Sequence, residues 1–379
     1  MAYPTDEGNG PMANDEAAPI SPKRCSAFMN DIFPMDDAII KALPESKTFV
    51  SAERFGKSSW AVTGKIMTLG RDGLDKAYFI KVAYGDNGRI ALNGEWESSK
   101  AIHVLKFDFI PKPVAFGEYK AQPLAYFYLS DFVDMDFKSA PDPAEFTAKL
   151  AAMHRGSQSP TGDFGFHVTT CDGNIPLHVR WQKSWSDFYR DLFLDVCKLD
   201  RETNEMWLEL EHAIEIVASK VIPRLLGVLQ ENGRYLKPCI IHGDLWDGNV
   251  GIRRNTEGSI IFDAGSYYAH NEMELGQWRC EFAKVFRGKK YIDRYLENYP
   301  AAEPKEEFDD RNRLYSIKGS MNYSAGHRGS HLRITAYNDM CYLCEKYAPT
   351  DGIGKYYRDL DPSITGVCIA THAFPANGV

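Results

Sequence analysis

The sequence predicts an α+β fold of two lobes, a small β-rich lobe followed by a larger, mainly helical one. Three observations support this prediction. The chain has 379 residues, which exceeds the usual size of a single domain core. Strand-like runs with turn-rich breaks fill its first third, whereas helical spacing of apolar residues dominates beyond about residue 135.

The chain divides into four predicted segments. Residues 1–20 contain Gly, Pro, Asn and Asp with few large apolar side chains, so we expect a disordered tail. Residues 21–132 form the β-rich lobe, and residues 133–348 form the helical lobe. Residues 349–379 mix Gly, Pro and aromatic residues without periodicity, which predicts a loosely attached C-terminal tail.

The first lobe begins with a short helical pattern near DDAIIKAL. Five strand-like runs follow, and the helical pattern GEWESSKAIHVL separates the third run from the fourth. The runs are KTFVSAERF, WAVTGKIMTL, AYFIKVAYG, FIPKPVAFGEY and LAYFYLSDFV. They predict a five-stranded antiparallel sheet accompanied by one helix.

The second lobe contains five stretches with helical periodicity, which are PAEFTAKLAAMHRGS, SWSDFYRDLFLDVCK and residues 203–231, 273–299 and 306–319. One β-rich stretch interrupts them. There the apolar runs NVGIR and SIIFD flank the turn residues NTEG, which predicts a hairpin.

Charge and composition exclude several classes of partner and location. The 44 Lys and Arg residues against 52 Asp and Glu give a net charge of −8, which argues against nucleic acid or an anionic membrane as a partner. The sequence contains no apolar stretch long enough to span a membrane, and its start lacks the apolar core of a signal peptide. We therefore expect a cytoplasmic protein whose eight cysteines are reduced thiols.

One stretch of the second lobe combines the residues that phosphoryl transfer requires. It is HGDLWDGN, from His242 to Asn249, followed by Asp263 at the end of an apolar run. Phosphoryl transfer needs a carboxylate that orients the attacking hydroxyl and oxygen ligands that hold Mg²⁺ across nucleotide phosphates. Asp244 supplies the carboxylate, and Asn249 and Asp263 supply the oxygen ligands. Antiparallel pairing in the predicted hairpin returns Asp263 to the same end of the ladder as Asn249.

Two other interpretations of this stretch remain. HGD and DGN are also ordinary turn sequences between buried strands. A metal-dependent hydrolase would likewise gather Asp, Asn and His, but it would not predict the small β lobe. The order and spacing of the residues, together with the sheet upstream, favour a kinase. His242 is expected to hydrogen-bond to the backbone of the loop, because Asp244 is better placed to act as the base.

The β-rich lobe offers a residue for the phosphates. Lys81 lies in the strand-like run YFIKV, and a side chain at this position can project from the sheet towards phosphates. Glu95 and Glu97 in the following helix are both candidates to pair with Lys81 and orient it. Without the downstream motif, a single lysine in a strand would be expected to face solvent.

These motifs resemble those of the fructosamine kinase/ketosamine-3-kinase family, whose members are related to aminoglycoside and choline kinases within the protein-kinase-like fold. The resemblance rests on HGDLWDGN, on FDAGSYYAHNEMELGQW and on FGFHVTTCDGNIPLHVRWQKSWSDFY. GEWESSKAIH resembles the Glu-bearing helix of the family, which makes Glu95 a better match than Glu97. The resemblance extends from about residue 50 to about residue 300, and the sequence is most similar to fungal members.

The resemblance implies ATP-dependent phosphorylation of the sugar 3-hydroxyl of ketosamines, either as small molecules or on glycated proteins. Asp244 would be the base, Asn249 and Asp263 the Mg²⁺ ligands, and Lys81 the phosphate-binding lysine with Glu95 as its partner. The resemblance also places a hinge beside adenine and an aromatic wall in the sugar pocket. The hinge residues are Asp131, Phe132 and Val133, and the wall residue is Trp246.

The sequence departs from the family pattern at two points. Family members usually carry Pro after the metal-binding Asp and Gly before the following His, whereas this chain has Ala264 and Ala269 there. The loop that would cover the nucleotide, FGKSSWAVTG, also lacks the usual Gly-rich form. The alternatives are therefore a kinase for another hydroxyl compound, such as an aminoglycoside or choline, and a nucleotide-binding scaffold without activity.

Overall fold

The computed structural model describes four stretches of the chain, which are residues 33–45, 47–58, 60–173 and 175–365. The predicted disordered tail at residues 1–20 and the end of the chain beyond residue 365 lie outside these stretches. None of the helices in the four stretches is long and apolar enough to cross a membrane.

The described chain forms two compact units. One contains the residues up to Leu92 together with Lys112–Val133, and the other contains Asn93–Pro111 and the residues from Asp134 onward. The sequence prediction placed residues 93–111 in the first lobe, but the structure groups them with the helical unit. The reason is local packing, since the Ser98 hydroxyl accepts a hydrogen bond from the Ser266 amide at 2.8 Å.

The first unit is built on the predicted five-stranded antiparallel sheet. Its strands are β1 (Lys47–Arg54), β2 (Val62–Gly70), β3 (Asp75–Tyr84), β4 (Pro113–Glu118) and β5 (Ala125–Asp131), in the spatial order β1-β2-β3-β5-β4. Apolar side chains of β2, β3 and β5 form its core, including Ile66, Ile80 and Leu129, which are fully buried.

One helix precedes the first three strands and a second helix follows them. Helix α1 (Asp37–Ala42) begins after Asp36, whose side chain accepts a hydrogen bond from the Ala38 amide. Helix α2 (Gly85–His103) follows β3, and the division between the two units falls within it, after Leu92.

The second unit is mainly helical. Its α-helices are α3 (Pro143–Gly156), α4 (Trp185–Thr203), α5 (Leu208–Ile216), α6 (Ile222–Leu226), α7 (Lys289–Asn298), α8 (Phe308–Gly326), α9 (Leu332–Tyr347) and α10 (Pro362–Thr365). Large aromatic side chains fill its core. Trp185 on α4 donates a hydrogen bond from its indole to the Tyr315 hydroxyl on α8 at 2.9 Å, with both side chains buried.

Short strands lie among these helices. They are β6 (Met135–Asp136), β7 (Thr170–Asp172), β8 (Ile175–Leu177), β9 (Cys239–Ile241), β10 (Val250–Arg253), β11 (Ser259–Ile261) and β12 (Tyr267–Ala269). Strands β10 and β11 are antiparallel, with Val250 opposite Ile261, as the sequence predicts for the NTEG hairpin. Strand β9 pairs with β12, so the segment after β11 returns alongside the segment that enters the HGD loop.

Two of the predicted helical stretches differ from the structure, and one helix was not predicted. The stretch at 203–231 is divided into α5, a π-helical turn, α6 and a 3₁₀ turn, and the stretch at 273–299 contains a 3₁₀ segment (Asn271–Arg279) separate from α7. Helix α9 was not predicted. Polar residues such as Asn338 and Asp339 are buried on α9, so it shows no amphipathic spacing.

The described part of the predicted C-terminal tail is firmly attached, contrary to the expectation of a loose segment. Asn338 on α9 donates to the Tyr357 carbonyl at 3.0 Å and accepts from the Tyr357 amide at 2.8 Å. Arg313 on α8 forms buried ion pairs with Asp339 and with Asp361, the latter at 2.7 Å. These polar contacts carry no periodic signal in the sequence.

The six cysteines of the described chain form no disulfides. They are Cys171, Cys197, Cys239, Cys280, Cys341 and Cys344, and all except Cys171 are fully buried. Burial raises the pKa of the Cys341 and Cys344 thiols to about 12, so both thiols of the Cys-x-x-Cys pair of α9 are protonated and belong to the core.

Candidate active site

The HGD loop begins directly after β9, and His242 is its first residue. The His242 ring is fully buried, with Nε2 2.9 Å from the Phe262 carbonyl and Nδ1 accepting the Asp244 amide at 3.3 Å. Burial lowers the pKa of His242, and the two contacts require a neutral ring protonated on Nε2. His242 therefore fixes the loop backbone, as the sequence predicts.

Two glycines allow the loop to pack against the segment that follows Asp263. Gly243 has a φ of +86°, and a Cβ atom there would lie 2.3 Å from the Gly265 carbonyl oxygen. A Cβ at Gly265 would lie 1.9 Å from the Cys171 carbonyl oxygen. Only glycine fits at either position, and the Gly265 amide donates to the His242 carbonyl at 3.0 Å across this contact.

Asp244 and Asn249 are in direct contact. The Asn249 amide nitrogen donates to the Asp244 carbonyl at 2.8 Å and to Asp244 Oδ2 at 3.0 Å. The Gln277 amide nitrogen donates to the other carboxylate oxygen, Oδ1, at 3.3 Å. All three side chains are buried. The carboxylate of Asp244 is thereby held in one orientation by a neutral donor on each oxygen.

Asp263 follows β11 and lies near the same loop. The Phe262 amide donates to the Asn249 carbonyl at 3.1 Å, which carries the hairpin ladder up to the residue before Asp263. Asp263 itself has a φ of +60° and is half-buried. Its negative charge raises the pKa of Asp244, so the two carboxyl groups lie within electrostatic reach of each other.

Burial is the main reason why the pKa of the Asp244 carboxyl is raised, to about 8. The charge of Asp172 raises the pKa further, whereas the ammonium of Lys318 and the hydrogen bond from Gln277 lower it. Asp172 and Lys318 form an ion pair of 2.5 Å, and both are almost completely buried. A cation that arrived beside Asp244 and Asp263 would favour the ionised carboxylates.

The residues predicted as Mg²⁺ ligands have suitable donor atoms. Asn249 uses its amide nitrogen on Asp244, which leaves Oδ1 as the oxygen for a cation, and Asp263 offers a carboxylate. Mg²⁺ is commonly held by one or two protein oxygens, with substrate phosphates and water completing its shell. Among the described residues there is no cluster of three or more His, Cys, Asp or Glu side chains that could hold a metal without such additional ligands.

The 3₁₀ segment Asn271–Arg279 supports the loop in a way that the sequence did not reveal. From the sequence, Glu274 is expected to begin a helix and is also a candidate to help bind a substrate amine. In the structure it is fully buried and accepts hydrogen bonds from the His242 amide at 2.5 Å and the Gly243 amide at 3.1 Å. The Trp278 indole donates to the Leu245 carbonyl at 3.1 Å. These contacts join residues about 30 positions apart, and no local sequence pattern predicts them.

Trp246, predicted as the wall of the sugar pocket, is only 6% exposed. Its ring meets Phe282 edge to face, with the ring centres 6.2 Å apart. It also lies so close to Gly248 that a Cβ atom there would be 2.3 Å from the ring. Trp246 thus packs tightly within the loop, and contact with a substrate stays a prediction.

The two residues predicted to form the phosphate-binding pair belong to different units. Lys81 lies on β3, opposite Tyr128 of β5, and is 3% exposed. Glu95 on α2 is also buried, whereas Glu97 forms ion pairs with Lys100 at 2.9 Å and His167 at 3.1 Å. Both ion pairs of Glu97 lie within the second unit, and the pairing of Lys81 with Glu95 stays a prediction.

The predicted hinge residues end the first unit. Asp131 closes β5 and forms an ion pair with Lys76 at 2.9 Å, and the Phe132 amide donates to the Ala77 carbonyl at 3.2 Å. Val133 is the last residue of this unit. Their role beside adenine stays a prediction.

A five-stranded antiparallel sheet unit, a helical unit and an HGD loop with Asn and Asp in this arrangement define a phosphotransferase with a protein-kinase-like fold. Comparison with known proteins places the chain more narrowly. A family model described as "Fructosamine kinase" matches residues 55–339, so the chain belongs to the fructosamine kinase family. The predicted family and fold class are confirmed.

Individual relatives agree with this assignment. A ketosamine-3-kinase of Mus musculus is 34% identical over 290 residues, which cover 68% of this chain and 86% of the mouse protein. A chloroplastic protein-ribulosamine 3-kinase of Oryza sativa subsp. japonica is 28% identical and covers 68% of this chain and 71% of its own length. A crystal structure from Haemophilus somnus 129PT, provisionally named a fructosamine-3-kinase, aligns with a TM-score of 0.59 at 18% identity, over 80% of this chain and 96% of that one.

Proposed function

We propose that this chain is an ATP-dependent kinase that phosphorylates the sugar 3-hydroxyl of ketosamines such as fructosamine and ribulosamine. The acceptors are ketosamine small molecules or glycated proteins, and the reaction marks the adduct for repair. The observation that carries the proposal is the carboxylate of Asp244, buried and fixed by Asn249 in the loop of a fructosamine kinase family member.

In this reaction the 3-hydroxyl oxygen attacks the γ-phosphorus of ATP, and the bond to the leaving ADP oxygen breaks. Asp244 orients the hydroxyl and takes its proton. Lys81, oriented by Glu95, holds the phosphates, and Asp131, Phe132 and Val133 lie beside adenine. Trp246 presents an aromatic face to the ketose.

We propose Asn249 and Asp263 as the residues that hold Mg²⁺. The donor set supports this assignment, because it pairs one amide oxygen with one carboxylate. When bound, the ion neutralises charge on the phosphates.

We further propose a cytoplasmic location and no nucleic-acid partner. The net charge of −8 supports the absence of nucleic-acid binding, since a phosphate-binding surface is usually basic. Fractionation of cells that express the tagged chain tests the location, and a band-shift titration tests binding to DNA and RNA.

The decisive experiment measures ATP consumption by the purified chain with fructosamine, ribulosamine, an aminoglycoside or choline as acceptor, each with and without Mg²⁺. We expect Mg²⁺-dependent turnover with the ketosamines and a 3-phosphate as the product, identified by NMR. Preferential turnover of the aminoglycoside or choline would replace the proposed substrate. Nucleotide binding without turnover of any acceptor would identify a scaffold.

A further inference from the structure

A buried polar atom lies next to the base and has no partner within the protein. Gln277 is 8% exposed, and its amide nitrogen donates to Asp244 Oδ1 at 3.3 Å. Its other amide atom, Oε1, is buried and accepts no hydrogen bond in the described part of the chain. An unsatisfied buried acceptor is costly, so it calls for an explanation.

Helix α8 packs directly against Gln277 and brings polar groups to it. A Cβ atom at Gly319 would lie 3.1 Å from Cys280 Sγ, 3.5 Å from Gln277 Cγ and 3.8 Å from the Phe282 ring. The absence of a side chain at Gly319 therefore lets α8 approach Gln277 closely. The preceding residue, Lys318, forms the buried ion pair with Asp172. The charges of Lys318 and Asp172 both act on Asp244.

The same helix carries a second buried acceptor without a partner in the described residues. Asn322 is 3% exposed, and its Oδ1 accepts no hydrogen bond there. Lys318 and Asn322 are four residues apart, so they lie on one face of α8. One face of α8 therefore carries a buried ion-pair partner, Lys318, and an unsatisfied buried acceptor, Asn322 Oδ1. Gln277 Oε1 is the unsatisfied acceptor that lies beside the base, and a donor that suits it there is a hydroxyl group.

A row of aromatic side chains connects this polar group with the surface. Phe282 contacts the buried Trp246 edge to face and stacks on Tyr323 with ring centres 5.9 Å apart. Tyr323 in turn stacks on the exposed ring of His327 at 4.0 Å. Aromatic faces suit the apolar C–H surfaces of sugars, and this row runs from the buried Trp246 to an exposed ring at the surface.

We propose that Gln277 Oε1 accepts a hydrogen bond from a second hydroxyl of the acceptor sugar, adjacent to the hydroxyl that is phosphorylated. Because one amide group binds the base through its nitrogen and the sugar through its oxygen, the two acceptor hydroxyls must be neighbours. Gln277 is thus a specificity-determining residue that selects vicinal diols. In a ketosamine the second group is the 4-hydroxyl, next to the reacting 3-hydroxyl. The inference rests on the proposed function, since it assigns a contact to that same substrate.

The test is a cycle of two changes, one in the protein and one in the substrate. Gln277→Met keeps the size of the side chain and removes both hydrogen-bonding atoms. Its kcat/KM is measured with a fructosamine and with the 4-deoxy analogue. For the wild-type protein we expect the analogue to lose at least about tenfold in kcat/KM. For Gln277→Met we expect the kcat/KM for the fructosamine to fall at least as far, because this variant also lacks the donor to Asp244. We expect the variant to use the fructosamine and the 4-deoxy analogue about equally well.

Two controls separate this contact from a general structural effect. The KM for ATP is measured on the same preparations and should change little in Gln277→Met. The melting temperature is measured as well, to show that the variant is folded at the assay temperature. Gln182→Met is a matched substitution on the outer part of the same unit, where the side chain of Gln182 donates to Asp191 at 2.9 Å. It should preserve the discrimination against the analogue.

The outcomes distinguish the inference from the function on which it rests. If the wild-type protein does not phosphorylate the fructosamine at all, both are wrong. If the wild-type protein turns over the fructosamine and the 4-deoxy analogue equally well, the contact with Gln277 is wrong whether or not the variant folds. Equal discrimination by the wild-type protein and Gln277→Met would overturn the contact and leave the kinase function intact.

Discussion

At the scale of single residues, Asp244 receives one hydrogen bond on each carboxylate oxygen, from Asn249 and from Gln277. Asp244→Asn would keep the size of the side chain but could not take a proton. We expect kcat to fall by about 10²- to 10⁴-fold, with melting temperature and ATP affinity nearly unchanged. Steady-state kinetics, thermal unfolding and calorimetric titration with ATP measure the three quantities.

The matched control for this variant is Asp195→Asn, because Asp195 is a surface residue that contacts His178. It should retain full activity. A kcat for Asp244→Asn within a few-fold of the wild-type value would show that Asp244 is not the base.

His270 should make the folded protein sensitive to mild acid. Burial is the main reason why its pKa is lowered, to about 4, while Glu272 opposes this shift and Arg311 and His154 add to it. The folded-state value lies below the value of about 6.5 expected for an unfolded chain, so the folded state binds fewer protons. Stability is therefore lost as the pH falls from about 6.5 towards 4. The loss between about pH 7.5 and about pH 5.5 is on the order of 1 kcal/mol.

Urea unfolding at these two pH values measures the effect, with His270→Asn as the comparison. The wild-type protein should lose on the order of 1 kcal/mol more than the variant, because other titrating groups are common to both. Equal losses would mean that His270 is protonated without penalty.

At the scale of elements, the 3₁₀ segment Asn271–Arg279 holds the catalytic loop through Glu274, Gln277 and Trp278. In Glu274→Gln the side chain that accepts hydrogen bonds from two backbone amides becomes neutral and keeps only one acceptor oxygen. We expect the free energy of unfolding to fall by about 2 kcal/mol and kcat to fall with it, since His242 and Gly243 lose their anchor. Urea unfolding and steady-state kinetics test both effects.

Glu297→Gln is the control for Glu274, because Glu297 forms an exposed ion pair with Arg294. Surface pairs contribute little, so this variant should match the wild-type protein in stability and activity. If both glutamate variants behave alike, the loop does not depend on Glu274.

The sequence predicted those elements whose side chains alternate or repeat with a regular period. The five strands of the first unit and the β10–β11 hairpin were predicted correctly, because apolar residues and turn residues mark them locally. The 3₁₀ segment was predicted as α-helix from its helical spacing. In the structure Glu272, Glu274 and Gln277 are buried and form hydrogen bonds with residues distant in the sequence, which local spacing does not encode. Helix α9 was missed because its buried face includes polar residues.

The candidate site shows the same limit. Asp244, Asn249 and Asp263 could be selected from their spacing within one motif, and the structure brings the first two into contact. Asp172 and Lys318 are 146 positions apart, and only the packing of β7 and α8 makes them a pair beside the base. Groups that meet through tertiary packing leave no pattern in a single sequence.

At the scale of the whole molecule, the segment after α9 is bound back onto the helical unit. Arg313 is buried between Asp339 and Asp361 and stacks on the Tyr342 ring at 4.2 Å. Asp361→Asn would leave part of this buried guanidinium charge without a counterion. We expect the free energy of unfolding to fall by about 3 kcal/mol, measured by urea unfolding.

Asp359→Asn provides the control, because Asp359 lies two residues away and is exposed. It should leave stability unchanged. A stable Asp361→Asn variant would show that Asp339 alone balances Arg313.

The buried thiols of the helical unit can report on local or global unfolding of that unit. In the folded protein a thiol-directed reagent has almost no access to Cys197, Cys280, Cys341 or Cys344, and burial disfavours the reactive thiolate at all four. Labelling at each of these positions therefore requires a local or global opening event. Mass spectrometry after timed labelling would give the opening rate around α4, α8 and α9 without any introduced probe.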